Sequence, residues 1–154
     1  MDATSANSVH RGYLTTVLGC YCPRCREGKL FRYGVSLRWN HNMEMHPSCP
    51  LCGQPTDIEV GFYYGTSYIS YLVGILISAI HFVVWWLLIG FSYSDDRFFY
   101  WLFFNALLLV GLQPWLGRFS RSLWISCFVP FDPLWKQNRP APLERTNEEQ
   151  MNNW

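Results

Sequence analysis

From Tyr68 to Phe91 the chain runs twenty-four residues without a charged side chain, and from Phe98 to Leu116 it runs nineteen more. At about 1.5 Å per residue the first stretch spans the ~30 Å hydrocarbon core of a bilayer with tilt, and the second spans it with little to spare. Two transmembrane helices are predicted, 68–91 and 98–116. Between them Ser92-Tyr93-Ser94-Asp95-Asp96-Arg97 is polar and short, enough to reverse the chain and too little for a domain. Residues 66–117 therefore form a helical hairpin. Two core helices of a soluble domain would each need a polar face, which neither segment supplies.

The flanks are polar. In residues 1–65, Leu30-Phe31-Arg32-Tyr33-Gly34-Val35 and Leu37-Arg38-Trp39 partly alternate apolar and polar side chains, as short β-strands of a small sheet would. After the hairpin, Gln113-Pro114-Trp115 interrupts the apolar pattern, and Gly117 to Trp124 resumes it with charges on one side. Phe119, Leu123, Trp124 and Phe128 share an apolar face, with Arg118, Arg121 and Ser122 turned toward headgroups, so residues 118–137 read as an interfacial helix ended by Phe131-Asp132-Pro133. Residues 138–154, with prolines, Glu148-Glu149 and terminal asparagines, read as a mobile tail.

Composition agrees with this layout: half of the 154 residues are hydrophobic and 18% are aromatic. A net charge of +1 gives no case for a nucleic-acid partner, whose binders carry a marked basic excess. The basic residues are placed asymmetrically. Arg11, Arg24, Arg26, Lys29, Arg32 and Arg38 precede the first helix, Arg118, Arg121, Lys136, Arg139 and Arg145 follow the second, and Arg97 alone lies in the turn. The positive-inside rule then puts both termini in the cytoplasm and Asp95-Asp96 on the far side. Phe62, Tyr63, Tyr64, Tyr68 and Tyr71 at one end, and Phe91, Tyr93, Phe98, Phe99, Tyr100 and Trp101 at the other, read as interfacial belts.

Chemistry enters with Cys22-Pro23-Arg24-Cys25 and Cys49-Pro50-Leu51-Cys52, which repeat one Cys-Pro-x-Cys unit. Two residues between cysteines let a tight turn aim both sulfurs at one ion, and a second turn completes the tetrahedron that zinc prefers. Each Pro presets φ, and Gly53 just after Cys52 can take the positive φ that closes such a knuckle. The first knuckle is less regular, because Arg26 and Glu27 come before Gly28. A Cys22–Cys25 disulfide would close a very small ring, and no cleavable signal peptide precedes it, so reduced thiols are expected. Cys20 and Cys127 are read as non-ligands. His41 and His46 are possible replacements for a thiolate, although four cysteines already form a full set. The twenty-three residues 26–48 hold too little core to fold alone, and a zinc site contributes about 10–16 kcal/mol of apparent binding free energy. With four protein ligands and no open position, the zinc at Cys22, Cys25, Cys49 and Cys52 is expected to be structural.

Inside the first helix Ser70, Gly74 and Ser78 recur every four residues, with His81 three further on. Small residues so spaced admit another helix, which makes the stripe a candidate packing face, and Asn105 is placed to hydrogen-bond across the hairpin. An imidazole near the bilayer centre needs a partner. It serves either packing or a proton, copper or haem role. No Gly-rich phosphate loop and no Ser/His/Asp arrangement is present, and Asp95-Asp96 lies in a turn, so neither an enzymatic activity nor a small-molecule substrate is expected.

Cys22-Pro-Arg-Cys-Arg-Glu-Gly-Lys-Leu-Phe31, Cys49-Pro-Leu-Cys-Gly53, the run from Glu59 through Gly61-Phe-Tyr-Tyr-Gly65 to Tyr71, and Arg118-Phe-Ser-Arg-Ser-Leu-Trp124 together resemble a bacterial family, the domain of unknown function family 983. The resemblance covers roughly residues 14 to 133, and Thr66-Ser67 stands where the family often has Ala-Met. It implies a small inner-membrane protein with an N-terminal zinc ribbon and a two-helix hairpin, with no activity assigned. Such genes resemble neighbours of haem-copper oxidase and oxidase-assembly genes. The function expected is a non-enzymatic accessory subunit or assembly factor of a larger membrane complex, with a respiratory haem-copper oxidase as the complex implied. The alternative is a metal-handling protein in which Cys20, His41 or His46 joins the thiolates to pass zinc or copper to a partner; a membrane redox enzyme is a third reading.

Overall fold

The computed structural model describes residues 11–36, 38–59, 61–90 and 95–140. Two long antiparallel helices dominate it: α3, Thr66–Ile89, and α4, Arg97–Phe128. Their 24 and 32 residues correspond to ~36 and ~48 Å. Both are long and apolar enough to cross a membrane. No residue of α3 is buried, and Leu72, Leu76, Val83, Leu87 and Leu88 stand exposed along it. A core helix of a soluble domain would have covered them. Gly90 closes α3 with a positive φ of 78° and donates its N–H to the Trp86 carbonyl, while Arg97 at the start of α4 donates to the Ile89 carbonyl at 2.9 Å. The rest of the polar turn, 91–94, lies outside the described residues.

The second long helix does not stop at Leu116, and among the described residues no separate interfacial helix follows. It runs through Pro114 to Phe128. A proline inside a helix costs the bond to the carbonyl four residues back but does not forbid continuation when packing holds the next turns. That packing comes from the N-terminal module. Leu116, Arg118, Ser120, Ser122 and Ile125 are buried, so the side expected to face headgroups is turned inward.

The module wraps the C-terminal third of α4. A short helix α1, Tyr13–Leu18, lies against it, with the Tyr13 hydroxyl 3.0 Å from Ser126 Oγ, and a single turn α2, Trp39–Asn42, meets it near Pro114. The expected β-strands are not formed among the described residues. Three isolated antiparallel bridges stand instead, Tyr21 with Lys29, Phe31 with Met45 and Ser48 with Pro55. The physical reason is the turns: Tyr21 and Ser48 each stand directly before a knuckle and Met45 stands three residues after α2, leaving no run long enough to propagate a ladder. Leu37 lies outside the described residues.

Two aromatics assigned to the belt are core instead. Phe62 and Tyr63, in the 3-10 turn Phe62–Gly65, pack with Leu30, Phe31, Ile125 and the cysteines, whereas Tyr64, Tyr68 and Tyr71 are exposed. Phe91 and Tyr93 are outside the described residues. Two residues of the small-residue stripe of α3, Ser70 and Ser78, are used within the hairpin, while Gly74 faces open space. Ser70 Oγ meets Ser120 Oγ at 2.6 Å, and Asn105 on α4 bonds both Ser78 and His81. The last described segment is anchored at Asn138, whose carbonyl accepts from Arg24 at 2.9 Å; the tail from 141 on lies outside the described residues.

Candidate metal centre

Each Cys-Pro-x-Cys unit forms a turn in which the residue after the second cysteine donates its N–H to the carbonyl of the first: Arg26 to Cys22 at 2.8 Å, and Gly53 to Cys49 at 2.9 Å. Both donors are left-handed, Gly53 at φ 71° and Arg26 at φ 58°. The first knuckle thus places a non-glycine where the second has glycine, and two contacts hold it there. Arg26 and Arg11 exchange side-chain bonds to each other's carbonyls, at 3.0 and 3.1 Å, and the Arg26 guanidinium lies 4.0 Å above the Phe131 ring. The late glycine has a different task. Cys22 donates to Gly28 O and Cys49 to Gln54 O, so Gly28 answers to Gln54 with one residue inserted.

The two turns bring four sulfurs together. Cys22 Sγ lies 3.7 Å from Cys52 Sγ, Cys25 Sγ lies 3.8 Å from Cys49 Sγ, and all four fall within 4.8 Å of one another. A tetrahedral ion with metal–sulfur bonds of about 2.3 Å sets its sulfurs about 3.8 Å apart, the spacing at which these two pairs already stand. The cysteines are buried or nearly so. Crowding couples their protons: hydrogen bonding with Cys22 draws the Cys25 thiol down, and the same pairing with Cys25 pushes Cys22 up. Four thiolates cannot share so small a volume without a cation between them. These four cysteines could hold a metal ion.

Gly28 is essential to this geometry by size. A Cβ built there would sit 2.4 Å from Cys49 Sγ. Gly28→Ala is therefore expected to force the second knuckle away and weaken metal binding by ~10-fold or more, while Gly34→Ala, which meets nothing within 4 Å, leaves it unchanged. Metal titration against a chromophoric chelator distinguishes the two.

The other candidate ligands lie elsewhere. The His41 ring packs edge-on against Tyr33 at 5.0 Å, and neither it nor His46 belongs to the sulfur cluster. Burial pushes the Cys20 thiol up to about 11 against the opposing pull of Arg118, so it stays protonated at neutral pH. Cys127 is exposed on α4, with its thiol donating to Leu123 O. Among the described residues the four-cysteine set is the one such cluster.

Three arginines, Arg24 and Arg118 buried and Arg121 half-buried, fasten the centre to α4 and to the segment that follows it. Arg24, the third residue of the first knuckle, donates to Cys52 O, to Asn138 O and to the Asp132 carboxylate. The Asn138 amide, then the Leu134 N–H and Arg24, hold that carboxylate below its usual range. Arg118, only 5% exposed, donates to Tyr33 O and Asn42 O at 2.7 Å each and stacks 4.6 Å over Phe31. Arg121 donates to Met43 O and covers the Tyr63 ring. Asn42, fully buried, donates to the Pro114 carbonyl at 2.7 Å.

No family model, curated protein or solved structure matches this chain. The resemblance to family 983 rests on the quoted motifs alone.

The sequence pattern assigned Arg24 and Asn42 no contact with the centre and turned Arg118 toward headgroups instead. No local pattern marked them; in the structure Gly117 leaves no room for a Cβ beside Met43, which shows this helix face pressed against the module.

Proposed function

We propose that the protein is a membrane-anchored, non-enzymatic accessory or assembly factor whose α3–α4 hairpin crosses the bacterial inner membrane and whose cysteine centre carries a structural zinc. The observation that carries this reading is the closed set of four sulfurs on a module clamped to the C-terminal end of a membrane-length helix. A catalytic zinc keeps a position open for water, and four buried thiolates leave none. With Cys20, His41 and His46 outside the cluster, delivery of metal to a partner has no extra ligand to start the transfer, which favours the structural role. The basic residues on both sides of the hairpin support cytoplasmic termini. The partner is a larger membrane complex, and the family resemblance points to a respiratory haem-copper oxidase.

The test is purification from native membranes. One tightly held zinc per chain, with co-purifying oxidase subunits and no optical bands of its own, supports the reading; copper in the cluster or a Soret band defeats it. Topology is checked separately. A cysteine introduced at Ser94 should react with an impermeant thiol reagent added outside intact cells, and one at Asn147 should not. Labelling at 147 but not at 94 would invert the orientation.

A further inference from the structure

Charge fixes how deep α4 can sit. Asp95, Asp96 and Arg97 are exposed at the polar end of the hairpin, so Arg97 stands at or outside the far edge of the hydrocarbon. From Arg97 to Pro114 is seventeen residues, about 26 Å of helix, which is short of the ~30 Å core. Pro114 therefore lies inside the near edge, and any tilt of the hairpin sinks it further. Arg118, one turn on, falls at that edge. The other helix agrees, because the groove between the two is lined by Gly74 beside Gln113 and Leu116, which sets Pro114 level with Gly74, eight residues into α3.

At this depth the module reaches α4. Asn42 donates to the Pro114 carbonyl at 2.7 Å, and its own Oδ1 accepts from the Ser36 N–H at 3.1 Å. The carbonyls of Asn42 and Tyr33 take the Arg118 guanidinium. Such pairing is what a site beside hydrocarbon demands, since no water is there to satisfy a free backbone group. The loop that leads into α2 is different. Arg32, Tyr33, Gly34 and Val35 are all exposed, Tyr33 at 49% and Val35 at 62%. A bilayer closes around the hairpin on every side that the module does not cover, so an apolar side chain left open at this level meets lipid.

We propose that residues 32–36 are a second membrane attachment, in which Tyr33 and Val35 enter the acyl chains of the leaflet on the module's side. Arg38, exposed and without an ion-pair partner among the described residues, is placed to reach the phosphates of the same leaflet. Exposure alone does not select this loop. Leu14 on α1 is 72% exposed, but Tyr13 ties that helix to Ser126, twenty-nine residues or about 44 Å along α4 from Arg97, clear of the hydrocarbon. The metal module is thus partly sunk in the membrane surface rather than held above it. The proposal rests on the reading that α3 and α4 cross the bilayer.

The test places the photoreactive residue p-benzoylphenylalanine singly at Val35, Leu14 or Leu76 of the full-length protein in phospholipid nanodiscs. After irradiation, protein carrying the added mass of a phospholipid is counted by intact-mass spectrometry. Leu76, exposed on α3, reports the membrane span itself. Adducts at Val35 are expected at a yield comparable to that at Leu76, with at least about tenfold less at Leu14. Tyr33, where the probe exchanges one aromatic ring for another, repeats the measurement with little disturbance of the loop. Adducts at Leu76 with none at Tyr33 or Val35 overturn the attachment and leave the span standing. Equal yields at Leu14 and Val35 overturn it too, because depth would then not distinguish them. No adduct at Leu76 removes the membrane reading and the attachment with it.

Discussion

Cys52→Ser is expected to abolish stoichiometric metal and to leave the module from Arg11 to Glu59 protease-sensitive. Removing a residue that merely orients a ligand costs about 10–100-fold in metal affinity, and removing a ligand costs more. The larger consequence is structural. The three bridges of the module are single rungs, and its buried apolar side chains are few, so an ion held by the four cysteines would supply much of what keeps the two knuckles together. Cys25→Ser should behave in the same way. Cys20→Ser and Cys127→Ser should not, since neither sulfur lies in the cluster. Elemental analysis of the purified variants, paired with limited proteolysis, checks this; full metal retention in Cys52→Ser would sink the four-cysteine centre.

The parts of this molecule that follow from local rules were legible in its sequence. An uninterrupted apolar run has one meaning at the scale of a helix, so α3 was displaced by only two residues from its expected bounds. The Cys-Pro-x-Cys spacing fixed which sulfurs would meet, because two residues between cysteines leave few ways to make the turn. Asn105 was placed across the hairpin for a similar reason, since an amide in an apolar helix must find a partner. What was not legible depended on long-range docking. Arg118 and Ser122 look like a solvent or headgroup face until the module is set against them. Nothing local in the chain shows that Tyr33 and Asn42 bring their carbonyls to that face. Pro114 has the same lesson in reverse: a helix breaker by propensity, it stands inside a continuous helix whose next turns are held by that docking, with its carbonyl bonded to Asn42.

The expectation drawn from that docking is that Arg118→Met uncouples the metal module from α4 without removing the metal ligands. The guanidinium is buried and satisfies two backbone carbonyls at 2.7 Å, those of Tyr33 and Asn42. Methionine fills most of the space over Phe31 but leaves both carbonyls unpaired. Hydrogen bonds to a charged donor are worth about 1.5–3 kcal/mol each, so the loss should total roughly 3–5 kcal/mol. Arg118→Lys can reach only one of the two and should recover about half. Arg32→Met provides the contrast, because its ion pair with Glu44 is exposed and contributes less than about 1 kcal/mol. Thermal unfolding in detergent, with hydrogen exchange read separately over Tyr33–Met43 and Leu116–Phe128, measures the effect. If Arg118→Met protects both segments as well as the unaltered protein does, the arginine is not the clamp, and the fastening must reside in Arg24 with Asp132 and in Asn42 with Pro114.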